Sequence, residues 1–210
     1  MIHRADTLTL NTMDSISKQI LRSPLFFPKL LIAALLVYSL VGIPLFIGYL
    51  SRFLHQLKNR RDANLPQWNS WLALLIESWE LLVLITIYTV LPILLACWIA
   101  SIISGWLGWL FWIPIWSLPW IPAMLVVWVA PIFSGIAYHR YLIRGSIESA
   151  FDIRSIWQTA LCNAEQLLIL TLVFWGVIFI GFPILGFAIA AGLTLYFPLV
   201  FQIVDQQTYS

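Results

Sequence analysis

Charge is what this chain has least of. From 81 to 139, and again from 166 to 204, it contains no Asp, Glu, Lys or Arg. A third uncharged run covers 30–51. Charged side chains make up 10% of the 210 residues and hydrophobic ones 61%, whereas soluble domains carry roughly 25% charged residues. A soluble fold of this length has no interior large enough for so much apolar surface. Lipid is therefore the expected solvent. A spanning helix needs about 20 apolar residues, and these runs supply them. They are too long and aromatic for outer-membrane strands, which are alternating segments of about 10 residues.

Cysteine is scarce as well. Cys97 and Cys162 are the only two, and they fall at different expected depths. A disulfide or thiolate metal site is not expected, and both read as small apolar fillers. A cleavable leader is not expected either. The stretch before the first apolar run is long and polar, and that run ends in "GYLSRF" without a small-residue cleavage site. Catalytic signatures are missing: no Gly-rich phosphate loop, nucleophile elbow or His-Glu metal helix is present. His3, His55 and His139 are scattered, and His139 in "AYHRYL" reads as an interfacial residue at a span exit. No enzymatic activity, cofactor or metal is expected, and nucleic acid is excluded as a partner by the small charge.

The expected architecture is all-α, a polytopic membrane bundle of about five hydrophobic segments. A polar tail (1–24) precedes a single membrane domain (25–205), and a short tail (206–210) follows. Spans are expected at 30–50, 81–103, 119–139, 167–183 and 186–204. The first segment carries Gly42 and Pro44 inside it, and one crossing is expected for it.

Two interfacial helices are expected, at 65–80 and 152–166. In the first, Trp68, Trp71, Leu72, Leu75, Ile76 and Trp79 recur at helical spacing, with Ser70, Glu77 and Glu80 on the other face. Asn64 and Gln67 look like a capping box, with Pro66 tolerated in the first turn. In the second, Asp152 precedes Ile153, Ile156, Trp157, Ala160 and Leu161. The two units match in letters: "ELLVLITI" (80–87) against "EQLLILTL" (165–172). The repeat unit is an interfacial helix followed by a hairpin. All 11 basic residues lie outside the three uncharged runs. The positive-inside rule then puts the loops 51–67 and 140–154 in the cytoplasm.

Four groups of residues are candidates for function. Glu77, Glu80 and Glu165 could form an ion or proton site between the two hairpins, since carboxylates near spans are costly and often functional. The plain reading puts them on the wet face of interfacial helices. Trp106, Trp109, Trp112, Trp116 and Trp120, at spacings near a helical turn, could line a pocket for a flat hydrophobic ligand or lipid tail; the plain reading is an aromatic belt. Arg52, Lys58, Arg60 and Arg61 suit lipid headgroups. Trp68, Trp71 and Trp157 suit interfacial anchoring.

The segment "GYLSRFLHQLKNRRDANLPQWNSWLALL" resembles the signature region of a family of small multi-pass membrane proteins of bacteria and archaea, the domain of unknown function, family four thousand and thirteen. The likeness rests on Gly48, Tyr49, Arg52, Leu65, Pro66, Trp68 and Trp71. Gln67, Asn69 and Ser70 stand where that family usually carries acids. The resemblance covers about residues 25–205. It implies a helical membrane domain in a prokaryotic cytoplasmic membrane, an undetermined activity and no catalytic residues.

The leading functional expectation is a non-enzymatic scaffold or accessory module, contacting membrane lipids and either another membrane protein or itself. The alternative is a small carrier or channel using Glu80 and Glu165. A third reading is an accessory factor that shields a hydrophobic ligand or lipid. If Trp68 and Trp71 seat the first interfacial helix, Trp68→Ala combined with Trp71→Ala lowers the yield of membrane-inserted protein. Unchanged yield and protease resistance would refute that seat.

Overall fold

The computed structural model describes residues 18, 20–21, 25–39, 42–60, 65–110 and 118–208. Arg61, Asn64, Trp112, Trp116, most of the N-terminal tail and residues 209–210 lie outside them, as do the side chains of Arg60 and Trp109. Among the described residues, all regular secondary structure is helical. In order, α1 is Phe26–Val37, α2 Gly42–Arg60, α3 Trp71–Ile85, α4 Leu91–Leu110, α5 Trp120–Arg144, α6 Ile147–Ala150, α7 Ile153–Cys162, α8 Ala164–Ile180 and α9 Leu185–Thr208. One π-turn, Thr86–Val90, joins α3 to α4 without breaking the rod. A 3-10 turn, Phe182–Ile184, leads into α9.

Among the described residues, three helices are long and apolar enough to cross a membrane: Trp71–Trp106, Trp120–Arg144 and Phe182–Asp205. A fourth span is possible if α7 and α8, bent by 86° at Asn163, act as one. The expected second interfacial helix is thus a separate element, but it ends at Cys162 rather than 166. Asp152 caps it, accepting from the Ser155 amide at 3.2 Å. Such a bond satisfies one of the donors that a helix N-terminus leaves free.

The first segment differs from expectation. It is not one continuous helix. α1 has 12 residues, about 18 Å at 1.5 Å each, short of a hydrocarbon core of about 30 Å. Its end is a tight turn in which the Gly42 amide donates to Ser39 Oγ at 2.9 Å. A Cβ at Gly42 would overlap the Leu36 carbonyl oxygen, so this turn admits glycine alone. The start of α1 touches the segment after α2: Lys29 Nζ donates to the Leu65 carbonyl, and Trp68 Nε1 donates to the Lys29 carbonyl at 3.2 Å. A single crossing would hold those residues on opposite faces. The far end of α1 meets α9, where the Gly186 amide donates to the Tyr38 hydroxyl at 2.9 Å.

The stretch before α3 is also a correction. Residues 65–70 are not helical, and the helix opens at Trp71 with Ser70 as N-cap. No side chain caps it, and Ser70 sits in the left-handed region at φ 51°. The expected helix start at residue 65 loses to tertiary contacts. Tyr49 donates to the Pro66 carbonyl at 3.1 Å. Trp68 stacks on Tyr49 with ring centroids 4.0 Å apart. Residues 65–70 are therefore a strap laid over α2, and Trp68 is a half-buried part of the bundle. Trp71 and Trp157 remain exposed, Trp71 beside Trp68 and Trp157 stacked on Phe133.

The core runs through α2, α5 and α9, with Phe53, Leu54, Ile136, Tyr138, Tyr196 and Val200 sealed inside it. Gly48 lets α2 approach α3 until a Cβ would overlap the Leu74 carbonyl oxygen. Gly176 on α8 has open space in the same place. Gly48→Ala should therefore destabilise the bundle by about 1–3 kcal/mol through overpacking, while Gly176→Ala is neutral or stabilising by up to about 1 kcal/mol from helix propensity. Melting of detergent-solubilised protein compares the two, and equal melting temperatures would contradict the close approach.

Candidate functional site

Polar side chains meet between α2 and α3. Arg52 lies one helical turn after Gly48, so the close backbone approach carries it against Glu77. Its Nε donates to Glu77 Oε2 at 2.8 Å and NH2 to Oε1 at 2.9 Å. This is a bidentate pair, a geometry that only guanidinium can offer a carboxylate. NH1 reaches Asn69 Oδ1 at 3.1 Å, which ties the strap to the pair. The Glu77 hydrogen bond raises the Arg52 pKa, while partial burial opposes it. Arg52 is 17% exposed and Glu77 41%.

A second layer lies beneath. Ser51, wholly buried, shares a 2.6 Å hydrogen bond with the Tyr138 hydroxyl of α5. His55 Nδ1 stands 3.1 Å from the Ser51 carbonyl and 3.4 Å from the Tyr138 hydroxyl. A carbonyl only accepts, so Nδ1 carries the proton, and in the neutral ring Nε2 holds the lone pair. Above this layer opens a cleft of about 350 Å³ lined by Arg52, His55, Gln56, Asn59 and Glu77. That volume lies within the usual range for small-ligand sites, about 300–1,000 Å³.

A family model described as a protein of unknown function, DUF4013, matches residues 31–191, well over half of the chain. The chain belongs to this family. No curated protein and no solved structure matches it. The resemblance read from Gly48, Tyr49, Arg52, Leu65, Pro66, Trp68 and Trp71 thus agrees with the family match. In this DUF4013 chain those residues are also neighbours in space. Gly48 sets the helix spacing, Arg52 makes the ion pair, and Tyr49 packs with Pro66 and Trp68.

The other candidates are dispersed. Glu80 lies beside the Tyr141 hydroxyl. Glu165 is exposed in the first turn of α8, and no hydrogen bond or ion pair joins it to Glu77 or Glu80. Trp106 and Trp120 are both exposed, on α4 and α5. The tryptophan run is split, because α4 reaches Leu110 and α5 starts afresh at Trp120. Of the basic group, Arg52 is committed to Glu77 and Lys58 is exposed.

Sequence reasoning missed the Ser51, His55 and Tyr138 contact. It also missed two pairs near the C-terminal end of α5. His139 Nε2 lies 2.8 Å from Asp205 Oδ1. Arg140 donates to Ser155 Oγ and lies 3.9 Å from Asp152. "SRFLH" does carry a signal, since Ser51 and His55 are four residues apart and share a helix face. Their partner on α5 has none.

A double-mutant cycle over Arg52→Gln and Glu77→Gln should give a coupling of about 1–2 kcal/mol, the value of a charge-assisted pair discounted for the exposure of Glu77. Additive losses of melting stability would show that the pair contributes nothing.

Proposed function

We propose that this DUF4013 protein is a non-enzymatic, multi-pass module of a prokaryotic cytoplasmic membrane. It works through helix–helix and lipid contacts and associates with itself or with another membrane protein. One observation carries the reading. The most apolar helix, Trp71–Trp106, is also the least covered: 6% of its apolar window is buried, against 56% for Phe182–Asp205. Leu91, Leu94, Leu95 and Trp98 stand exposed along it, at the three- and four-residue spacing of a continuous helical face. Such a patch on a protein marks an interaction surface or a lipid contact.

The placement of charges supports the same orientation as the positive-inside rule. Lys29 meets Leu65, so Lys29 shares a side with the strap that follows α2. The loop 140–154 is held together by Arg140, Ser155 and Asp152. We assign the C-terminal end of α2 with the strap 65–70, and the segment 140–154, to the cytoplasmic boundary of the membrane. A carrier built on Glu80 and Glu165 would need the two carboxylates at one site, and α5 packs against both helices that bear them.

A photo-crosslinking residue in place of Trp98 should give a discrete protein adduct in native membranes, and Glu80→Gln with Glu165→Gln should leave it unchanged. Lipid adducts alone would remove the association. Loss of proton-coupled uptake in the double Gln variant would favour the carrier.

A further inference from the structure

The cleft between α2 and α3 has walls of both signs. We propose that it binds the headgroup of a zwitterionic phospholipid that carries a primary ammonium. This deepens the membrane reading and rests on it, since the cleft must open at a lipid surface.

The chemistry follows from what each group has left to give. Arg52 spends Nε and NH2 on Glu77 and NH1 on Asn69. The pair is neutral as a unit. A ligand with only negative charge meets the Glu77 carboxylate, and one with only positive charge meets the guanidinium. A ligand with both charges, a few bonds apart, meets each opposite. A carboxylate has about four lone-pair sites, and Glu77 uses two of them on Arg52. Those left accept from an ammonium that has N–H groups, and His55 Nε2 joins them in the tautomer that donates from Nδ1 to the Ser51 carbonyl. The Gln56 and Asn59 amides at the cleft can donate to a phosphate, and Lys58 lies exposed on the same helix.

Position favours a lipid over a free small molecule. Trp71 is exposed where α3 begins, and Leu72 and Ile76, each 77% exposed, continue along the same turns that carry Glu77. Tryptophan prefers the headgroup level, and exposed aliphatic side chains at the same depth along α3 as the polar cleft match a site that opens where headgroups meet acyl chains. The cavity of about 350 Å³ has room for a headgroup and none for a whole lipid.

The full chain, reconstituted in nanodiscs of phosphatidylethanolamine, phosphatidylcholine and phosphatidylglycerol in equal parts, is released into detergent and its retained lipids are counted by native mass spectrometry. The expected result is one phosphatidylethanolamine kept in preference to both others. In Glu77→Gln that retention falls at least about tenfold, the loss of one charge-assisted bond, and phosphatidylglycerol is held no less than before. The comparison among the three lipids needs no variant, so it stands even where Glu77→Gln fails to fold. Equal retention of phosphatidylcholine, whose nitrogen has no N–H, overturns the proposal. So does a preference for phosphatidylglycerol, or a folded Glu77→Gln protein that keeps phosphatidylethanolamine as before. Displacement by soluble glycerophosphoethanolamine at equal concentration would assign the cleft to a free compound and overturn the lipid. A chain that fractionates with membranes yet keeps none of the three lipids loses this site alone; a chain that leaves the membrane fraction loses the membrane reading as well.

Discussion

At Gly48 the backbone of α2 comes so close to α3 that a side chain would overlap the Leu74 carbonyl oxygen. Much of the rest depends on that approach. It brings Arg52 within bidentate reach of Glu77. It leaves Tyr49, the next residue, in place to stack on Trp68 and to donate to Pro66. The strap 65–70 is held by those two contacts together with the Asn69 bond to Arg52. The strap in turn holds the start of α1 through Lys29. An aromatic stack is worth only about 0.5–1.5 kcal/mol and a charge-assisted pair about 1.5–3 kcal/mol when shielded. Neither would position a loop alone. Together, over one short stretch of α2, they override a local signal to start a helix six residues early.

The bundle is inside out by the standards of water. α2, the least apolar of the long helices by sequence, is sealed at Leu50, Ser51, Phe53 and Leu54, while the far more apolar Trp71–Trp106 lies bare. In water that rod would collapse onto the core, since each buried Å² of apolar surface is worth roughly 25 cal/mol. In lipid the gain vanishes, and close packing and polar contacts decide which helix sits in the middle. Ser51 and Tyr138 fit that logic: a 2.6 Å hydroxyl pair joins α2 to α5 through polar side chains inside the bundle.

The fold class was legible because it depends on composition and on long uncharged runs, and no packing detail can reverse those. The rods through 81–103 and 119–139 and the capped helix after Asp152 were legible for the same reason, being set by local periodicity and a cap. The break near Gly42 could be seen, but its consequence could not. Whether a chain passes through or turns back at a glycine depends on what receives the far end, here Gly186 donating to Tyr38. Trp68 was misplaced because tryptophan suits both a lipid interface and an aromatic stack, and only Tyr49 decides between them. Arg52 was recognised as functional for its charge, yet that charge is turned inward to Glu77. The Ser51, His55 and Tyr138 contact joins residues 83 and 87 apart, and nothing local announces it.

The repeated text shows how far identical local rules can diverge. Thr86 and Thr171 occupy matching places and do the same thing, each bonding the carbonyl four residues back, at 2.8 and 2.7 Å. Two residues before the matched carboxylates the units part. Ser78 turns its hydroxyl onto the Leu75 carbonyl at 2.6 Å and stays in the helix. Asn163, its counterpart, leaves helical geometry at φ −109°, and the chain bends by 86°. Glu80 therefore sits within a continuous rod, beside Tyr141, while Glu165 falls in the first turn of a new helix. A helix start favours negative charge through its free N–H groups and dipole. Each glutamate thus has its own local reason to be there, and the likeness of the two sequences does not by itself require a shared ion.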